Sequence, residues 1–226
     1  FPNEAFGYWK ISVERPLRLS ADLSEDARRR FRDVCKAVKE TPLAQVVDQL
    51  AASLGPGPHR DWNVVAAKLA SVAKHHNVKL TARRARLVQD HLATRDETAE
   101  PVIRRTHPAG KAEPAPLYGR YLRTEQGRQR VIEYEPDSEL RDTEQVPLLE
   151  EGGIEAFVRR EVLPYAPDAW IDESATKTGY EISFNRYFYR PQPMRTLEEI
   201  RADILALEKE TEGLLDEILA TTEQTS

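Results

Sequence analysis

A single cysteine in 226 residues leaves Cys35 without a partner for an intramolecular disulfide, which fits a reducing compartment. No apolar run approaches the length of a membrane span or of a signal-peptide core, so the expected setting is soluble and cytoplasmic, with no membrane contact. Neither sign of charge dominates: 33 lysines and arginines stand against 38 aspartates and glutamates, a net of -5. That balance excludes a whole-protein attraction to nucleic acid, and any such contact must be local. No internal repeat of solenoid period is found. What is present is a hydrophobic content of 40%, enough for one large core or two small ones. Phe1 leads straight into a strand-like segment with no initiator methionine, so the chain is read as a fragment whose parent begins upstream.

Strand and helix signals then divide the chain. Phe6-Gly-Tyr-Trp-Lys-Ile-Ser-Val-Glu-Arg-Pro16 is aromatic and β-branched, and Pro16 removes a ladder donor, so one strand is predicted, with no obvious neighbour to pair with. From Ser20 to Thr94 the spacing turns helical. Ala27, Phe31, Val34, Cys35 and Val38 share one face of a first helix. Leu43, Val46, Val47, Leu50 and Leu54 stripe a second, with Thr41 as cap, Pro42 in the first turn and Gly55-Pro56-Gly57-Pro58 as its stop. Asp61 caps a third helix carrying Trp62, Val65, Leu69 and Val72, and Thr81 a fourth carrying Ala85, Val88 and Leu92. Pro101, Pro108, Pro114 and Pro116 with Gly110 predict an extended connection. Past it, Tyr118–Arg123 and Gln129–Glu135 alternate around Gly127 as a hairpin, and an acidic loop follows. A short helix over Ile154–Leu163 stops at Pro164, and two short strands are expected over Ala169–Asp172 and Gly179–Phe184. The expected fold is α+β, mainly helical with a small mixed β-sheet and hairpin region and a long heptad-patterned C-terminal helix. Its parts are 1–19 as the terminal strand of an upstream domain, 20–105 helical, 106–117 linker, 118–190 a small α+β subdomain and 191–226 a docking helix.

The tail has the cleanest periodicity. Thr196 and Glu199 form a capping box, and Leu197, Ile200, Ile204, Leu207, Thr211, Leu214 and Ile218 recur at alternating spacings of three and four. Such a helix from Thr196 to Ala220 is about 37 Å long, too long for a small domain to cover its whole seam. With Leu197 at heptad position a, Asp203, Glu210 and Glu217 fall at g and Arg201, Glu208 and Leu215 at e. Self-pairing sets acid against acid, so a basic foreign helix is the preferred partner, and Leu215 widens the seam towards a small bundle.

Other constellations are weaker. Asp137, Glu139, Asp142 and Glu144 crowd carboxylates into a loop, but without the glycine and ligand spacing of a calcium loop. His75, His76 and His91 lack the H-E-x-x-H spacing that would hold zinc, and Cys35 sits on an apolar stripe where a buried small hydrophobe is expected. No metal and no catalytic residue is assigned. Residues 59–95 hold eight lysines and arginines against Asp61 and Asp90, and Arg83, Arg84 and Arg86 are the candidate contacts to a DNA backbone. Asn185-Arg-Tyr-Phe-Tyr189 adds Arg186 and Tyr189 as further contact candidates, with Phe188 expected in strand-end packing.

Three segments together resemble the modification subunit of type I restriction-modification systems, a DNA N6-adenine methyltransferase. They are Phe6-Gly-Tyr-Trp-Lys-Ile-Ser-Val-Glu-Arg-Pro-Leu-Arg18, Glu135-Pro-Asp-Ser-Glu-Leu-Arg-Asp-Thr-Glu-Gln-Val-Pro-Leu148, and Gly179-Tyr-Glu-Ile-Ser-Phe-Asn-Arg-Tyr-Phe-Tyr189 leading into Leu197-Glu-Glu-Ile200. Arg160-Glu-Val-Leu-Pro-Tyr-Ala-Pro-Asp-Ala-Trp-Ile-Asp172 also looks like that family, so the likeness covers residues 1–19 and about 117–219, its C-terminal part. Ser20 to Arg105 carries no family signature, and Arg190-Pro-Gln-Pro-Met-Arg195 departs from a more proline-rich pattern. The resemblance implies a parent that transfers a methyl group from S-adenosylmethionine to adenine N6, beside a specificity subunit that reads DNA and a restriction subunit in the full complex. It implies that the segment like Ile11 to Leu17 closes the methyltransferase sheet and that the terminal helix packs on the specificity subunit. The family's catalytic Asn-Pro-Pro-Phe or Asn-Pro-Pro-Tyr is not in this sequence, and Gly55-Pro56-Gly57 makes a poor cofactor cradle because prolines lack amide donors. The fragment is therefore expected to bind no cofactor and to be inactive alone. The competing readings are a non-enzymatic module that self-associates through the tail and, more distantly, a hydrolase built on the acidic loop.

Overall fold

The computed structural model describes residues 2–108, 110–125, 127–182 and 194–223, with the side chains of 125, 210 and 212–223 outside the description. Contacts divide the chain into two units, Phe1–Glu181 and Ile182–Ser226. The first holds two hydrophobic cores and three antiparallel sheets, where a mixed sheet was expected. Strand β1 (Gly7–Glu14) is the middle of one sheet, between β7 (Asp142–Pro147) and β8 (Trp170–Tyr180). Its neighbours therefore exist but lie far along the chain, pairing Trp9 with Val146 and Val13 with Ile171. Both edges of β1 are occupied by this chain's own strands. Ile11, Val13, Val146 and Ile171 bury one face against Leu117, Val158 and Ala169, the core beneath this sheet.

Two predicted features change here. The acidic stretch is partly strand, because Val146 is 0% exposed opposite Trp9 and its burial draws Asp142 and Glu144 into the ladder. Downstream, one strand of 11 residues replaces the two short ones, and its described end at Tyr180 leaves 183–184 outside the described residues. The register explains the appearance of two. Lys10 faces Lys177 while Ser12 faces Asp172, so the residues between bulge out and break the alternation. Asp172 holds that bulge, accepting from the Ser174 amide at 3.0 Å and its hydroxyl at 2.6 Å. Between β7 and β8, a short helix α5 (Gly153–Phe157) runs on as a π-type turn over Val158–Val162.

The second core is helical. Helices α1 (Glu25–Ala37), α2 (Thr41–Leu54), α3 (Trp62–His75) and α4 (Ala82–Leu92) enclose Phe31, Leu43, Val46, Val47, Leu50, Val65, Leu69 and Val88. β2 (Leu19–Ala21) pairs with β3 (Ala93–Arg95) to close it. Ser24, Asp61 and Thr81 each accept a first-turn amide, fixing the starts of α1, α3 and α4. Thr41, expected as a cap, is instead the first helical residue after Glu40, which makes no side-chain cap bond. Gly55 stops α2 with a φ of 87°, a backbone angle that a residue with a Cβ rarely adopts. Val38 lies off the apolar face and is exposed.

The third sheet has the order β4-β6-β5, formed by β4 (Ile103–His107), β5 (Arg120–Glu125) and β6 (Arg128–Tyr134). The hairpin around Gly127 is present, with Tyr121 facing Ile132. The stretch expected as a plain connection contributes β4, which adds to the hairpin through Thr106 opposite Ile132. In the second unit the described residues form α6 (Leu197–Glu223). Thr196 and Glu199 make the reciprocal cap: the Thr196 amide donates to Glu199 Oε2 at 2.8 Å, and the Glu199 amide donates to Thr196 Oγ1 at 3.2 Å.

Candidate functional site

The run Glu14-Arg-Pro-Leu-Arg18 carries the chain from β1 to β2, and nearly every polar group on it is clasped by a distant segment. Arg141 Nε donates to Glu14 Oε1 at 2.6 Å, and Arg15 Nε donates to Asp168 Oδ1 at 2.9 Å. Arg18 reaches Asp168 Oδ2 at 3.3 Å and the Ala99 carbonyl at 2.8 Å. The Leu17 amide donates to the Glu135 carbonyl at 2.7 Å, and the Asp137 amide donates to the Arg15 carbonyl at 2.8 Å. Arg95, at the edge of the helical core, grips Asp137 in bidentate fashion at 2.8 and 3.0 Å and reaches Glu139 at 2.8 Å. Segments expected to belong to separate subdomains are thus tied by charge.

These groups line a cleft of about 490 Å³ in which Arg15, Arg18 and Arg95 are each paired with a carboxylate. Among the described residues lining this cleft, each arginine is thus held by a carboxylate of the same chain. Burial raises the Asp137 pKa, but the Arg95 bonds, the Glu139 amide and the Arg95 charge outweigh it and hold the carboxyl below its ordinary value. Because the folded pKa is depressed, the stabilisation is complete above the unfolded pKa and is lost as pH falls through the folded one. Replacing Arg95 by Met is therefore expected to flatten the acid limb of stability below about pH 4, measured as urea midpoints from neutral to acid. Identical acid limbs in the two proteins would show that Asp137 does not depend on Arg95.

Comparison with protein-family models, with curated proteins and with solved structures gives no match. The residues themselves must carry the functional reading. Of the candidate DNA contacts on α4, Arg84 donates to Glu40 at 2.8 Å and to the Lys79 carbonyl at 2.7 Å, clamping α4 to the turn before α2. Arg86 pairs with Asp90 one turn on, at 3.0 Å, and Arg83 is exposed and makes no ion pair among the described residues. The structure therefore spends two of these arginines on its own carboxylates. Arg186 and Tyr189 lie outside the described residues, as does Phe188. On α6, Leu197, Ile200, Ile204 and Leu207 are exposed, Ile204 by 56% and Leu207 by 61%. The side chains of Leu214, Leu215 and Ile218 lie outside the described residues. Thr211 donates its hydroxyl back to the Leu207 carbonyl at 2.8 Å, and Arg195 bonds the Asp203 carboxylate.

Among the described residues no group of three histidines, cysteines or acids is placed to hold a metal ion. No described helix is long and apolar enough to cross a membrane. His75 and His76 meet edge to face, and His91 lies 6.4 Å from the Phe31 ring, placements that solvate or pack. Cys35 is 0% exposed, and burial together with the charge of Glu40 pushes its thiol up to about 11. At pH 8 only about one thiol in a thousand is then the reactive thiolate, and it is covered. A thiol reagent is expected to label the chain only after urea unfolds it. Rapid stoichiometric labelling of the native protein would contradict this placement.

Two features escaped the sequence reading. One is the clasp, whose partners are separated by up to 153 positions; its signal was the charge complementarity of Glu14-Arg-Pro-Leu-Arg18 and Glu135-Pro-Asp-Ser-Glu-Leu-Arg141. The other is a set of arginines on the third sheet, visible in the sequence as Arg120, Arg123, Arg128 and Arg130 within one hairpin.

Proposed function

We propose that the chain is the C-terminal part of the modification subunit of a type I restriction-modification DNA methyltransferase. On this reading it serves assembly with the specificity subunit, while S-adenosylmethionine binding and methyl transfer to adenine N6 belong to the rest of the parent protein. The fragment is inactive alone and works in the cytoplasm, joined in the full complex by the restriction subunit. One observation carries the reading. The segments of likeness, Phe6–Arg18, Glu135–Leu148, Arg160–Asp172 and the start at Gly179, are scattered over the sequence, yet they form adjacent strands of one sheet and clasp one another by charge. The unlike stretch from Ser20 onward folds into its own core, as an insertion would. With both edges of β1 occupied, any continuation of a parent sheet runs through β7 or β8.

The docking surface is a long heptad-patterned terminal helix that includes Leu197, Ile200, Ile204 and Leu207 and, by its spacing, Leu214, Leu215 and Ile218. Exposed apolar side chains in such a row stabilise a complex once covered. Self-association through the same row is the second reading. Its acidic flanks, with Asp203 set against Glu208 in a parallel pair, count against it. The test is co-purification of the chain with a tagged type I specificity subunit, followed by size exclusion. A complex of the two supports assembly, and a chain that elutes only as its own dimer supports the alternative.

A further inference from the structure

The end of the β5–β6 hairpin stands clear of the body. Along β6, Val131 and Ile132 are buried while Arg128, Gln129 and Arg130 are all exposed. Successive strand residues point to opposite faces, so three exposed in a row mean that both faces are in solvent. Among the described residues β4 pairs with β6 only as far as His107 opposite Val131, and beyond it the hairpin is two-stranded. At its base, Tyr121 lies 5.0 Å from Tyr134 and 6.4 Å from Trp170, an anchor that holds the ribbon on the sheet core. Beside the end runs an open groove of about 890 Å³ lined by Thr106, His107, Thr124, Arg128, Gln129 and Arg130.

Several arginines of the helical core are held by carboxylates, while Arg30 and Arg83, among the described residues, make no ion pair. Arg28, Arg29, Arg32, Arg84, Arg86 and Arg95 all have carboxylate partners. Among the described residues Arg128 and Arg130 make no ion pair, nor do Arg104 and Arg105 on the neighbouring strand, and all four are exposed. Between Arg120 and Arg130 four arginines stand against Glu125 alone; Arg123 sits opposite Arg130, while Arg128 faces Glu125 and Arg120 faces Glu133.

We infer that the β5–β6 hairpin is a ribbon that lies along the major groove of duplex DNA, with Arg128 and Arg130, which share one face of it, on phosphates. A major groove admits a two-stranded ribbon, and arginine supplies the donors that phosphates accept. Among the described residues this surface exposes Leu122 as its one large apolar side chain, so a lipid bilayer is a poorer fit. Duplex RNA fits worse, because its major groove is too deep and narrow for a ribbon. The choice of DNA rests in part on the function proposed above, and the inference moves the DNA contact from α4 to this sheet.

The test is fluorescence anisotropy of the whole chain with a labelled B-form duplex from about 50 to 200 mM salt. The unsubstituted chain is expected to bind more weakly as salt rises, and Arg105→Ala with Arg128→Ala and Arg130→Ala to reduce the log–log slope by about 2 to 3. The same three positions changed to Lys should keep the slope, since a lysine also neutralises a phosphate. An unchanged slope in the Ala variant, loss of slope on changing Arg83, Arg84 and Arg86 instead, equal affinity for duplex RNA or for anionic vesicles, or no DNA binding by the unsubstituted chain would each overturn the assignment. Co-purification with a specificity subunit without DNA binding would sink the ribbon and leave the assembly reading intact. Arginine-dependent DNA binding without co-purification would do the reverse.

Discussion

Changing Leu207 to Asp is expected to abolish co-purification with a specificity subunit while leaving the chain's own melting temperature unchanged. Leu207 is 61% exposed and Ile204 is 56% exposed, so neither contributes much to the fold of the free chain. Covering such a side chain in an interface stabilises the complex by about 1.5–3 kcal/mol. An aspartate forfeits that gain and brings a carboxylate into an apolar contact, a further cost of about 2 kcal/mol or more. The sum corresponds to an affinity loss of at least about 100-fold, visible as two separate peaks at micromolar concentration. Ala202, on the opposite side of the heptad, supplies the control: Ala202→Ser should leave the complex intact. Retention of the complex by the Leu207→Asp protein would remove the helix from the interface. A parallel loss of a homodimer would transfer the row to self-association.

Local signals were legible and distant ones were not. Ser24, Asp61 and Thr81 act within one turn of their own positions, so cap chemistry located three helix starts, two of them read from the sequence beforehand. The buried rows of α2 and α3 follow from a period of 3.6 and needed no tertiary information. β1 was readable as a strand, but its partners begin at Asp142 and Trp170, and periodicity says nothing of pairing across such separations. The strand β7 was hidden because its acids outvoted Val146, and β4 because prolines around it read as an extended connection. In the basic tract of residues 59–95 the local count gives the sum of charge but not the pairing within it. Arg84 faces Glu40, a carboxylate 44 positions away that no local charge count includes. The resembling motifs held the clasp in plain view, yet which acid meets which arginine is set by the sheet register.

That register makes Arg141 a residue whose removal should disturb the fold well beyond its degree of exposure. Its side chain is 49% exposed, whereas that of Glu14, which it holds at 2.6 Å, is only 4% exposed. Glu14 Oε2 is buried with no hydrogen-bond partner, so the carboxylate depends on this one bond. Removing one member of a buried pair costs about 3–5 kcal/mol, because the other charge is left without compensation. Water admitted beside the half-exposed arginine offsets part of this, and Arg141→Ala is expected to lower stability by about 2–4 kcal/mol. Against a typical total of about 5–15 kcal/mol, that shifts the urea midpoint plainly. Adding Glu14→Leu to Arg141→Ala should recover most of the loss, since burying neither charge is far less costly than burying one. A cost below about 0.5 kcal/mol for the single variant would mean that the pair behaves as a surface contact. The likeness of Glu14-Arg-Pro-Leu-Arg18 and Glu135-Pro-Asp-Ser-Glu-Leu-Arg141 to one family would then need a reason other than the mutual clasp of these two segments.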